Sequence, residues 1–189
     1  MAASWVEICN SALGKMGGQP INDLDDESKT ARACKRLIYF ARDEVLRAHT
    51  WACAQTRQAL AALEDEPLGA DYTHQFALPT DPKYIRLSKL INNLTGYEIV
   101  GQFLLSDEPA VTLQYVYAVD DPGVLDSAVA NCIATRLAVE LSIDLAGDAA
   151  LAKLQLGRYN QIDLPTAKAA DQRSKVQATA TTRWNEIGR

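Results

Sequence analysis

The sequence predicts an α+β fold: mainly a helical bundle of about four helices, with a small antiparallel β-meander inserted and an extended C-terminal tail. Three observations carry this. Residues 28–51, SKTARACKRLIYFARDEVLRAHTW, contain no Gly or Pro, and Ala31, Cys34, Ile38, Ala41, Val45 and Ala48 recur at steps of three or four. That spacing is a helical stripe. Residues 72–119 switch to a period of two, broken by short polar turns. The period then returns to helical, with Leu125, Val129, Ile133, Leu137, Leu141 and Leu145 every four residues and alanines between them.

In chain order, the first helix is expected over about 4–16. Ser4 followed by Glu7 is a capping box, and Gly17-Gly18 stops the run. An acidic loop follows, QPINDLDDES. The second helix, 28–49, is expected to be the central rod on which the others lean. Residues 51–63, WACAQTRQALAAL, read equally as strand or helix. The β insertion is expected over about 72–119 as four short strands, with Pro79, Pro82, NNLTG and SDEPA as breaks. A third helix is expected over 122–146, with Asp121 as cap and Pro122 in its first turn. The fourth is expected over 148–168, capped by Asp148 after Gly147, weakened by Gly157 and kinked or ended by Pro165. Residues 1–170 are read as a single domain. Residues 171–189 are polar and expected to be a flexible tail.

The chain has 189 residues, long enough to bury a core without staples. Nineteen basic against twenty-four acidic residues give a net charge of −5. Residues 166–189 hold five basic and two acidic side chains, so residues 1–165 hold fourteen against twenty-two. An acidic body argues against a phosphate-gripping surface. No apolar run reaches the roughly 18 residues a membrane helix needs. The N-terminal MAASWVEICN lacks a basic segment followed by an apolar one. A protein made in a cytoplasm, with no membrane partner, is the expectation.

Chemistry-bearing groups are sparse. Cys9, Cys34, Cys53 and Cys132 form no CxxC pair and read as reduced, mostly buried thiols. Asp23, Asp25 and Glu27 resemble the opening of a calcium loop. However, Ser28 stands where the turn glycine belongs and Cys34 where the closing Glu belongs, so acids favoured by a helix N-terminus are the better reading. His49 at a helix end and His74 in a strand have no nucleophile or acid placed beside them by motif. No G-x-S-x-G, HExxH, P-loop or G-x-G-x-x-G occurs. The expectation is no catalytic residue, no metal, no cofactor and no enzyme. In the tail, Arg173, Lys175, Arg183, Trp184 and Arg189 combine cations with one bulky aromatic, the composition of a docking segment.

The order of fragments is informative. G-K-M-G-G closes the first helix. Ala31-x-x-Cys34 leads to Tyr39-F-A-R-Asp43, Val45-L-Arg47 and His49-T-Trp51-A-C-Ala54. Phe76-x-Leu78-Pro79-x-Asp81, Val100-Gly101-x-x-Leu104-Leu105 and Tyr115-V-Tyr117 follow, then a long helical hairpin. Over residues 4–170 this resembles the head-tail connector, or adaptor, of short-tailed bacteriophages, the tail tubular protein A family. The resemblance implies a structural virion protein of the tail or neck: a homo-oligomeric ring, typically of twelve copies, beneath the portal protein. Such a ring joins the portal to the tail nozzle or tail tube protein and passes double-stranded DNA without sequence-specific binding. It implies that the C-terminal segment reaches the portal or a neighbouring subunit, which would make residues 173–189 that interface. The alternatives are a virion-associated cell-wall hydrolase and a non-viral helical scaffold protein.

Overall fold

The computed structural model describes residues 4–65, 67, 71–91 and 96–174. The chain divides into two compact units. Met1–Cys53 with Val119–Arg189 forms a helical unit, and Ala54–Ala118 forms a β unit. The class is α+β.

The helical unit contains α1 (Trp5–Lys15), α2 (Lys29–Ala48), α3 (Ser127–Asp144) and α4 (Ala149–Arg158). Each start is capped by a side-chain oxygen. Ser4 accepts from the Glu7 amide in a full capping box, and Ser28 accepts from Ala31. Asp126 accepts from Ala128, and Asp148 from Ala150 and Leu151. The hub is α3, not α2 as the sequence suggests: α1, α2 and α4 each lean on α3. Eleven of the eighteen α3 residues are buried, so it is apolar nearly all round. Ala130, Ala134 and Ala138 let neighbours approach closely. α2 has one buried stripe and a charged outer face, which suits a flanking position.

Three helix boundaries differ from expectation. Asp121 and Pro122 open only a 3₁₀ turn, Pro122–Val124, and α3 begins afresh at its own cap, Asp126. α4 is not ended by Pro165, one of the two outcomes expected there, and the helix goes beyond the expected 168. It passes through a π turn, Tyr159–Asp163, and the helix runs on through 164–174. Proline lacks an amide proton and its ring clashes with the carbonyl four residues back. The wide turn, in which the Leu164 amide donates to the Tyr159 carbonyl, lies immediately before it. Finally, positions 171–174, expected to be tail, are helical.

The β unit starts earlier than expected. A 3₁₀ turn, Ala52–Ala54, leads into β1 (Gln55–Ala61), so the ambiguous stretch is strand. β2 (His74–Ala77), β3 (Tyr84–Leu90), β4 (Tyr97–Val100), β5 (Phe103–Ser106) and β6 (Ala110–Tyr117) follow. They make two three-stranded antiparallel sheets, ordered β1-β6-β3 and β2-β5-β4, instead of one sequential meander. The third alternating run is a hairpin. Val100 pairs with Phe103 across a two-residue turn whose first residue, Gly101, has φ +60°. The core joins both sheets through Phe76, Leu78, Leu104, Val111, Leu113 and Tyr115.

Candidate functional site

The outer face of α2 is built by helical spacing alone. With Ala31, Cys34, Ile38, Ala41 and Val45 buried, Arg32, Lys35, Arg36, Tyr39, Phe40, Glu44 and Arg47 turn outward. Phe40 is 71% exposed. Beside it lies an ordered shelf. The Trp5 ring meets Tyr39 edge-on at 6.0 Å, and its Nε1 donates to the Asp120 carbonyl at 2.9 Å. The Arg42 guanidinium sits 5.0 Å from the Tyr39 ring centre. Arg42 is itself buried. Its Nε donates to Asp43 Oδ1 at 2.8 Å, and its Nη1 donates to the Val119 carbonyl and Asp120 Oδ1, both at 3.0 Å. Trp, Tyr, Phe and Arg are the residue types that concentrate binding energy at protein interfaces. Here hydrogen bonds and ring contacts fix the shelf before any partner arrives, which lowers the cost of ordering it on binding.

A second exposed surface lies on α4 and its π turn. Leu154 and Ile162 are 67% and 58% exposed. They border a groove of about 500 Å³ with Gly157 between them and Lys153, Arg158 and Gln161 at its rim. A Cβ built on Gly157 would meet nothing within 4 Å, so the missing side chain leaves an open notch.

On its other side the same segment carries a buried polar network. Asp163 Oδ2 accepts from Thr135 Oγ1 at 2.7 Å, and its Oδ1 accepts from Asn131 Nδ2 at 3.2 Å. Arg158 Nε approaches Oδ2 at 3.4 Å. Lys15 Nζ donates to Asn131 Oδ1 at 2.9 Å, and Gln155 Nε2 donates to the Lys15 carbonyl at 2.9 Å. Burial lowers the Lys15 pKa below its ordinary value, the nearby Arg158 charge adding to the effect. The π turn aims Asp163 inward at α3 while Ile162 and Gln161 face outward.

The residues singled out from sequence resolve as follows. His49 Nε2 lies 3.1 Å from Asp171 Oδ2, and Asp171 Oδ1 accepts from the Ala52 amide at 2.7 Å. His49 also meets Trp51 edge-on at 4.8 Å. It thus fastens the last helical turns to the end of α2. His74 lies in β2 opposite Ser106. In the acidic loop, Asp23 Oδ1 accepts from the Asp25 amide, Asp26 Oδ2 accepts from the Asn22 and Asp23 amides, and Asp25 pairs with Lys35. Among the described residues, no group of three or more His, Cys, Asp or Glu is arranged to hold a metal ion, and no helix is long and apolar enough to cross a membrane. All four cysteines are free thiols, Cys53 being the least buried. The Cys9 and Cys34 thiols hydrogen-bond, which raises the pKa of Cys9 and lowers that of Cys34. Burial pushes Cys132 up to about 12.

Of the five tail positions, Arg173 lies exposed on the helix, while Lys175, Arg183, Trp184 and Arg189 fall outside the described residues. The surface residues that sequence reading passed over are Phe40 and Leu154. The signal for Phe40 was present: a large hydrophobe two positions past Ile38 falls off the buried stripe and so must face outward. No protein-family model matches the chain, and no curated protein matches it.

Proposed function

We propose that this chain is a structural virion protein, the head-to-tail adaptor of a short-tailed bacteriophage. In this reading it forms a ring under the portal protein, holds the tail nozzle or tail tube protein below, and lets double-stranded DNA pass. The observation that carries the reading is the exposure of large apolar side chains at two places in one small bundle: Tyr39 and Phe40 on the otherwise charged outer face of α2, and Leu154 and Ile162 on α4 and its π turn. Exposed aromatic side chains held among charged ones are the residue types that concentrate binding energy at protein contacts. The order of helices, β insertion and helices fits the connector family whose residue pattern the chain resembles. A net charge of −5 suits a conduit along which DNA slides without sticking.

The test mixes the purified protein with portal rings of a short-tailed phage and images the product by electron microscopy. Rings of fixed copy number stacked on portals are expected; free monomers that ignore portals overturn the reading. A chain ended after Ser174 retains the Asp171 bonds to His49 and Ala52 while losing Lys175, Arg183, Trp184 and Arg189. It is expected to fold as the full chain does and to bind portals more weakly.

A further inference from the structure

We infer that Cys9 and Cys34 form a reversible disulfide that staples α1 to α2 when the chain meets an oxidising medium. Helical spacing alone brings the two thiols together. Cys9 falls on the buried face of α1 with Ile8, Ala12 and Leu13, and Cys34 on the buried stripe of α2 with Ala31, Ile38 and Ala41. Neither residue has any exposed surface, and their side chains hydrogen-bond to one another. The other two cysteines have different neighbours. Cys53 lies near Asp126 and Asp171, and Cys132 near Asp163 and Lys15.

The chemistry is thiol–disulfide exchange with a low-molecular-weight disulfide such as oxidised glutathione. One protein thiol loses its proton to solvent and attacks a sulfur of the reagent, expelling one glutathione thiolate. The second protein thiol, deprotonated in turn, attacks the protein sulfur of that mixed disulfide and expels the other. Two protein thiols are thereby oxidised and the reagent is reduced to two thiols. Because both sulfurs are sealed in the core, the first attack takes place during a transient opening of α1, the first helix of the chain. Closure then selects the product. A close-packed core has no room for a glutathionyl group, whereas a disulfide merely replaces two hydrogens, and the neighbouring thiol is held beside the sulfur it must attack.

The staple acts where the bundle is least cross-braced. α1 leans chiefly on α3 and only lightly on α2. The new bond closes a loop with twenty-four residues between the cysteines, and restricting such a loop in the unfolded chain is stabilising. Thiols stay reduced in a cytoplasm and oxidise outside it. A virion protein makes that passage, but the inference does not rest on the adaptor reading, since the staple is read on the free chain whether or not rings form.

The test incubates the full chain with oxidised glutathione under native conditions, alkylates the remaining thiols in denaturant and maps the tryptic peptides. Peptide 1–15 joined to peptide 33–35 is expected, with Cys53 and Cys132 outside any link. Four alkylated thiols after prolonged incubation overturn the inference. So does a link made instead to Cys53 or Cys132, or glutathione retained on Cys9 or Cys34. Thermal unfolding supplies the second readout on the unaltered sequence. The oxidised chain is expected to melt about 5–10 °C above the reduced one and to fall back on treatment with dithiothreitol. An oxidised chain that melts no higher than the reduced one overturns the staple. Cys9→Ala is expected to abolish the difference between the two conditions. A difference that persists in that variant assigns the effect to another thiol and overturns it as well.

Discussion

The helical unit and the β unit are stabilised in different ways. In the helical unit one apolar rod, α3, is enclosed by three others, and each helix start is closed by its own cap. The outer faces of α2 and α4 carry little of that burial and are left to display Phe40 and Leu154. In the β unit the core is shared by two small sheets, and the edge strand β4 is exposed along its whole length. Function placed on a rigid helix face can be precise; function placed on β4 would have to use its free edge.

The largest expected effect lies in the helical unit. Trp51 is fully buried and its Nε1 donates to the Val45 carbonyl at 2.8 Å. Trp51→Ala is expected to cost about 3–5 kcal/mol in urea unfolding followed by circular dichroism. A loss below about 1 kcal/mol would show that this end of α2 is dispensable.

Next comes the polar network. Thr135→Val removes the closest donor to a buried carboxylate and is expected to cost about 1–3 kcal/mol, with Thr135→Ser restoring most of it. If valine proves neutral, Asp163 is better solvated than its burial implies.

In the β unit the Tyr115 hydroxyl is shared with Gln58 Oε1 and the Pro82 carbonyl, each at 3.1 Å. Tyr115→Phe keeps the ring and is expected to cost about 1 kcal/mol. Ile99→Lys on β4 should change stability by less than about 0.5 kcal/mol, because every residue of that strand is exposed. A large loss there would erase the contrast between the units.

The contrast also explains what the sequence could show. Caps and stripes are local, so α1, α2 and the start of α4 were legible to within a residue or two. The break between Pro122 and Ser127 was not. Asp121-Pro122 is a good helix start, but Asp126 is a second one, and burial of Leu125 and Val129 decides between them. Of the two outcomes expected at Pro165, the helix does not end there but is distorted just before it, and nothing in the side-chain pattern marks the distortion as a π turn. Strand pairing is non-local: β1 pairs with β6 across 49 to 61 residues, so four alternating runs looked like a meander. The site was half legible. Phe40 betrayed itself by leaving its stripe, whereas the Gly157 notch reads in sequence only as a weak helix position.

The first and last strands of the β unit are hydrogen-bonded partners, with Gln55 opposite Val116. Chain therefore leaves the helical unit and returns to it through a two-stranded stem. In chain order, the residues from Ala62 to Pro109 are a single insertion, closed at its base by that pairing.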